Sequence, residues 1–221
     1  MAIEKVLAAS LFSGGKESIH AISNVESKGV EVKHLLHEIP TFDSPHSHNI
    51  EALKTLAKSM NKDFTIVDLR NGEQELIDSL KSLNVDALVA GDINVLQHVT
   101  WLQNICSQAG IELLEPLFGK QTSILFREMF SEPRFKATIV GVNTESLSDE
   151  WLGFTISHET AETFLSRTHK IDPLGENGEF HTIVVDSPLY SKAFRIKPLE
   201  KIIEKDMTYL RLTLSEWQNE H

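Results

Sequence analysis

The chain has one cysteine, Cys106, in 221 residues. An intramolecular disulfide is therefore excluded, as is a four-cysteine zinc or iron–sulfur centre within one chain. On a helical apolar pattern, Cys106 reads as a buried apolar residue. Long hydrophobic runs are missing too. No stretch approaches the ~20 apolar residues that cross a bilayer, and Met1-Ala2-Ile3-Glu4-Lys5 lacks the basic stretch and cleavage site of a signal peptide. The expectation is a cytoplasmic location with no membrane partner. Positive charge is in short supply: 21 Lys and Arg against 32 Asp and Glu leave a net charge of −11. That excess repels phosphate backbones and argues against nucleic acid as a partner. A single nucleotide is not excluded, because its site needs only local donors. There is no repeat of domain-array length and no low-complexity tract.

What is present is an ordinary globular composition, 41% hydrophobic, which suffices for one large domain or a main domain with a smaller one. The first half alternates two periods. Val6–Phe12 is short and apolar and ends at Gly14-Gly15, as a buried strand does. Ser18–Lys28 reads as a helix stopped by Gly29. Strand-like stretches follow at 32–39, 64–69, 87–90 and 112–117, separated by helical patterns at 48–60, 73–83, 95–109 and 123–130. Strand and helix in alternation predict an α/β fold, a Rossmann-like parallel sheet with helices on both faces. Ligands of such sheets bind beyond the C-terminal strand ends. Beyond about Ala137 the pattern loosens into strands near 137–142, 183–186, 193–196 and 207–214 and one helix at 160–169. The expected organisation is a first domain of residues 1–132 and a smaller α+β domain of residues 133–221.

Ser13-Gly14-Gly15-Lys16-Glu17-Ser18 lies where the first strand gives way to the first helix. Glycines let backbone N–H groups converge, and the helix adds free N–H groups and the positive end of its dipole. Lys16 supplies a mobile charge, and Ser13 and Ser18 supply hydroxyls. Physics alone therefore points to an anion site. It is not a Walker A loop, which requires four residues between its first Gly and its Gly-Lys pair.

The loop resembles the SGGxDS pyrophosphate loop of N-type ATP pyrophosphatases, with Glu17 where that family has Asp. Ala90-Gly91-Asp92-Ile93, Trp101–Cys106 and Glu115-Pro116-Leu117-Phe118 resemble the middle of the diphthine–ammonia ligase family. Gly175-Glu176-Asn177-Gly178-Glu179-Phe180-His181-Thr182 resembles that family's C-terminal signature, with Asn177 in place of a Gly and His181 in place of a Glu. The resemblance implies an adenine nucleotide alpha-hydrolase-like fold and an AMP-forming carboxylate–ammonia ligase, with ATP and Mg²⁺ as cofactors. It also implies ammonium as nitrogen donor and elongation factor 2 bearing diphthine as protein acceptor, and it leaves a homodimer open.

On this reading Ser13, Gly14, Gly15, Lys16, Glu17, Ser18, His37, Gly91 and Asp92 bind the nucleotide. Asp43, Ser44, His46, Glu176, Glu179 and Thr182 border the substrate. Lys16, Glu176, Glu179 and His181 do the chemistry, Lys16 by offsetting phosphate charge and the others by positioning or accepting protons. His37, His46 and His48, with Asp43, are the residues closest to a zinc set, but no protein metal site is assigned. Two other functions stay open: pyrophosphatase chemistry on a different, small-molecule acceptor, and a sensor that binds ATP or AMP without turnover. A tRNA-thiolating enzyme fits less well with one cysteine and this charge.

Overall fold

The structure is a computed structural model that describes residues 5–40 and 46–217. Asp43 and Ser44 lie outside the described residues. Two compact units account for the rest. The first comprises residues 5–13, 17–40 and 61–119, and the second residues 14–16, 46–60 and 120–217.

The first unit is built on a five-stranded sheet. Its strands are β1 (Leu7–Leu11), β2 (Glu31–Ile39), β3 (Asp63–Asp68), β4 (Ala87–Val89) and β5 (Glu112–Leu114), in the order β3-β2-β1-β4-β5. Every neighbouring pair is parallel. This is the architecture that the alternation of periods predicts. β1 is apolar along its length because a central parallel strand is buried on both faces. Ala9, Leu36, Val67 and Leu88 pack on one face against Leu76, Ile77 and Leu80 of α3 (Gln74–Leu83) and Leu102, Ile105 and Cys106 of α4 (Leu96–Ala109). The alternate residues Ala8, Leu35 and Val89 point the other way and are just as inaccessible. Cys106 is buried and free, and burial and the Glu115 charge push its thiol up to about 11, so it is inert packing. α4 ends at Gly110, whose φ of 77° gives the left-handed cap that favours glycine.

The second unit is antiparallel. β6 (Lys136–Asn143) pairs with β7 (Thr155–Ile156), β8 (Phe180–Asp186) and β10 (Met207–Glu216), and β10 pairs with β9 (Phe194–Glu204). α5 (Thr122–Ser131) and α6 (Ala161–Arg167) belong to it. Phe164 is the hub of an aromatic core, with ring centroids 5.9 Å from Phe126, 5.4 Å from Trp151 and 5.5 Å from Phe180. Such pairs add ~0.5–1.5 kcal/mol each beyond area burial. The change of pattern expected near Pro133 lies between α5 and β6, whereas the division of contacts falls between Gly119 and Lys120.

α2 (Ile50–Ser59) departs from the simple alternating picture. In the chain it connects β2 to β3, yet it clusters with the second unit and packs on β10. Buried Asn49 explains the attachment. Its Nδ2 donates to the Leu210 carbonyl at 2.9 Å, and its Oδ1 accepts from the Leu212 N–H at 2.9 Å. The two bonds bracket the irregularity in β10 between Arg211 and Leu212. Asn49→Ala leaves both strand groups buried and unpaired, so it should cost about 2–4 kcal/mol of stability at ~1–3 kcal/mol per orphaned group. Chemical denaturation of the two proteins measures this, and a loss below ~0.5 kcal/mol contradicts it.

Candidate functional site

The order β3-β2-β1-β4-β5 reverses direction at β1. Successive strands go one way to β2 and β3, then the chain returns to the far side for β4 and β5. The crevice beyond β1 and β4 is therefore where such a sheet takes a ligand. Two of the three glycines expected there, Gly14 and Gly91, meet a physical need. Gly14 has φ 70°, in the left-handed region. A Cβ on Gly91 would lie 3.0 Å from the Glu17 carbonyl carbon and 3.2 Å from the Ser18 nitrogen. The exit of β4 thus runs against the first turn of α1 (Lys16–Glu26), and a Cβ at Gly91 would require that turn to give by a few tenths of an ångström. Ser13 Oγ stands 3.4 Å from Ser18 Oγ. His37 is buried, with Nδ1 3.0 Å from the Phe12 carbonyl and its ring stacked on Phe64. Burial holds its pKa down, against the hydrogen bond to Phe12, which favours the proton.

Within the second unit the loop is tied to β8. The Val184 N–H donates to the Gly14 carbonyl at 2.9 Å, and the Lys16 N–H donates to Thr182 Oγ1 at 3.2 Å. Lys16 is buried, with Nζ 4.5 Å from the centroid of Phe180. A cation on a desolvated aromatic face is stabilised by ~2 kcal/mol. His181 follows Phe180 and meets the His46 ring edge-on at 5.4 Å. Burial, and then the Lys16 charge, pushes His181 down to about 4. It is an uncharged imidazole at neutral pH, suited to hydrogen bonding rather than to taking up a proton. Lys16, His46, His181 and Thr182, far apart in sequence, are brought together. His48 turns elsewhere, its Nε2 3.0 Å from the Tyr209 hydroxyl.

Glu179 is engaged by its own loop. Its carboxylate accepts from the Asp172 N–H at 3.0 Å, the Asn177 N–H at 2.9 Å and Asn177 Nδ2 at 3.0 Å. Burial pushes its pKa up, but these donors outweigh it and the net shift is downward. Asn177, the residue in place of a glycine, is a partner of that carboxylate. Gly175, at φ 73°, would bring a Cβ within 2.9 Å of Phe180, so the turn is closed down on the strand that follows. The Glu176 N–H donates to Asp172 Oδ1 at 3.4 Å.

Around Asp92, a residue named from the sequence, the structure adds His98, Glu38 and Glu115, which sequence reasoning did not place in the site. Asp92, in the first unit, does not cap α4, whose N-cap is Val95. Its carboxylate receives His98 Nδ1 at 2.8 and 2.9 Å. The Asp92 hydrogen bond raises the His98 pKa against the opposing effect of burial. Glu38 and Glu115 are both pushed up to about 7, first of all by burial, and the Asp92 charge adds to it in each case. Glu38 Oε1 is buried without a hydrogen-bond partner, whereas the Glu115 carboxylate is hydrogen-bonded with the Asp92 backbone and side chain. Among the described residues no three His, Cys, Asp or Glu side chains converge in a way that would hold a metal ion.

Two substitutions test the geometry. Thr182→Val is isosteric but leaves the Lys16 N–H without its acceptor, at a cost of ~1–3 kcal/mol, while Thr182→Ser should stay near wild type. Gly91→Ala forces α1 and β4 apart and should cost ~1–3 kcal/mol as an overpacked site. Urea denaturation measures both, and a Thr182→Val protein as stable as Thr182→Ser would show that the bond contributes nothing.

The model of the diphthamide synthase N-terminal domain matches residues 6–113, and that of the diphthamide synthase C-terminal domain matches residues 121–215. Among curated proteins, the diphthine–ammonia ligase of Schizosaccharomyces pombe is 23% identical over 94% of this chain and 40% of its own length. The Rattus norvegicus enzyme of the same name is 29% identical over 51% of this chain and 44% of its own length, and the Homo sapiens one is 30% identical over 46% and 39%. The chain thus spans less than half the length of these relatives. Among solved structures, similarity extends to a "predicted subunit of tRNA methyltransferase" from Methanocaldococcus jannaschii, at 17% identity over 59% of this chain and 77% of the other, with a TM-score of 0.42.

Proposed function

Because the chain belongs, through both domain models, to the diphthine–ammonia ligase family, we propose that it is an ATP-dependent amide-forming ligase. ATP, a carboxylate and ammonium give an amide, AMP and pyrophosphate through an acyl-adenylate. The acceptor is diphthine, as the names of the relatives suggest, carried on this reading by elongation factor 2.

The observation that carries this reading is the loop at the end of β1. Gly14 sits at positive φ, α1 begins at Lys16, and the Lys16 side chain is buried on the Phe180 face. The positive end of the helix dipole and a desolvated ammonium head both favour a polyphosphate. The chemistry needs that arrangement. A carboxylate does not react with ammonia at neutral pH, because oxide is a poor leaving group. Attack of the carboxylate oxygen on the α-phosphorus expels pyrophosphate and leaves an acyl-adenylate. Ammonia then adds to the acyl carbon and AMP departs. The protein holds the reactants in line and offsets the charge that builds on phosphate oxygens. Lys16 performs the second task. His181, held neutral, donates or accepts a hydrogen bond there, and an arriving phosphate would draw its pKa back up. Magnesium suits this loop as an ion carried mainly by the triphosphate, with Glu17 as the acidic side chain available beside it.

Lys16→Ala should leave the fold intact and lower ATP-dependent product formation about 10²–10³-fold, the loss typical of removing one transition-state donor. Mass spectrometry of products from ATP, ammonium and diphthine-bearing elongation factor 2 reads it. Amide, AMP and pyrophosphate in equal amounts support the reading. ATP binding with no pyrophosphate under any acceptor would make the chain a nucleotide sensor instead.

A further inference from the structure

Past the C-terminal end of β4 the chain runs through Gly91, Asp92 and Ile93 before α4 begins at Leu96. The residues on both sides of Asp92 are fixed. Gly91 lies against Glu17 and Ser18 in the first turn of α1. Ile93 is buried, and its carbonyl accepts from the Gly119 N–H at 2.9 Å. The Asp92 carboxylate accepts from Nδ1 of His98, in the first turn of α4, at 2.8 and 2.9 Å. A carboxylate at that distance decides the tautomer. Nδ1 carries the hydrogen, and in the neutral ring Nε2 carries the lone pair. Trp101, one turn further on, lies against the imidazole with ring centroids 5.4 Å apart and planes at 23°. The tryptophan is itself anchored, its Nε1 donating to Glu73 Oε2 at 2.9 Å. The imidazole is therefore held at one nitrogen and on one face. Its side chain is still 37% exposed, against 14% for Asp92. An oriented imidazole with its second nitrogen left for a substrate is the arrangement of a general base and its orienting acid. It stands at the strand ends where such a sheet takes its ligand.

We propose that His98 is the general base of amide formation and that Asp92 is its positioning residue. The proposal rests on the ligase reading for the identity of the reaction. Ammonia attacks the acyl carbon through its lone pair, and a C–N bond forms. The nitrogen now carries a positive charge and must lose a proton before the amide can form. His98 Nε2 accepts that proton. The carbonyl reforms, the bond from the acyl carbon to the AMP oxygen breaks, and AMP leaves with the electron pair. The imidazolium, stabilised by the Asp92 carboxylate, then gives its proton to water. Without a base the adduct falls back to ammonia and acyl-adenylate. The groups that face His98 are Asp92 beside it, Glu38 from β2 and Glu115 from the segment after β5. The hydrogen bond to Asp92 raises its pKa most, burial opposes it, and the charges of Asp92, Glu38 and Glu115 raise it further. A base works only when it is deprotonated, so amide formation should rise with pH through the His98 pKa, above the ordinary histidine range.

The test separates the two half-reactions in the full chain, supplied with ATP, ammonium and diphthine-bearing elongation factor 2. Isotope exchange between pyrophosphate and ATP reads adenylation, and mass spectrometry of the acceptor reads the amide. His98→Ala is expected to keep the exchange and to lower amide formation about 10²-fold or more, the usual contribution of a general base. Imidazole added to the medium is expected to restore part of that loss. In Asp92→Asn amide formation should fall too, and the acid limb of its pH profile should move to lower pH, because His98 loses the partner that raises its pKa. A merely structural pair would give neither the rescue nor this shift. Should one variant unfold too readily to assay, the other decides alone. The proposal is overturned if His98→Ala forms amide at the wild-type rate, if its exchange falls together with its amide formation, or if the acid limb stays in place in Asp92→Asn. In the first case the ligase reading stands and only the base is lost. A wild type that exchanges no pyrophosphate with any acceptor sinks the ligase reading, and the base role with it.

Discussion

Two hydrogen bonds from the loop to β8 carry much of what is particular to this chain. Lys16 and Thr182, 166 residues apart, share one of them, and Gly14 and Val184 share the other. In isolation each bond contributes only ~0.5–1.5 kcal/mol. Their consequence is organisational. Gly14, Gly15 and Lys16, near the N-terminus, become part of the same unit as the strand near the C-terminus, and that strand also presents Phe180 and His181 to Lys16. There is a chemical consequence as well. The first N–H groups of a helix have no partner inside it. Thr182 supplies a partner for the one at Lys16.

The polar chemistry divides by unit. In the second unit the environment around Lys16 is apolar and aromatic, and His181 stays uncharged near neutrality. The Lys16 charge is felt by His181 and holds it down further. In the first unit Glu38 and Glu115 feel both the Asp92 and the His98 charge, and burial above all pushes the two carboxyls up to about 7. A chain of net charge −11 would be a poor partner for anions on average. Burial makes that average irrelevant, because desolvated charges respond to neighbours rather than to the distant surface.

Most of the fold is legible in the sequence because its signals are local. Apolar runs ended by glycine, the 3.6-residue period of 73–83, and Gly110 after the α4 pattern each decide an element without help from afar. The phosphate loop is legible for the same reason, since strand, glycines, lysine and helix are consecutive. The remainder depends on pairing. β9 runs to Glu204, well past the stretch at 193–196, because β10 pairs with it along its length. β7 has only two residues and exists through Ala137 and Thr138. α2 has an ordinary amphipathic pattern, and nothing in it says that Asn49 will bond to β10. Glu38 reads as an unremarkable strand residue and Glu115 as the residue before a proline. Only the sheet order brings them near Asp92, and no spacing in one dimension encodes that.

Acids that look alike in sequence differ here by the number of donors they meet. Glu179 has three N–H groups on its carboxylate, which lower its pKa despite burial. Such a group is a good fastener and a poor base, because taking a proton would break bonds it already makes. Glu115 meets fewer donors: burial and the Asp92 charge push it up to about 7, and the backbone hydrogen bond from Asp92 only partly offsets them. Such a group takes up a proton more readily than Glu179. The contrast comes from the number of donors each carboxylate meets, which no spacing in the sequence encodes.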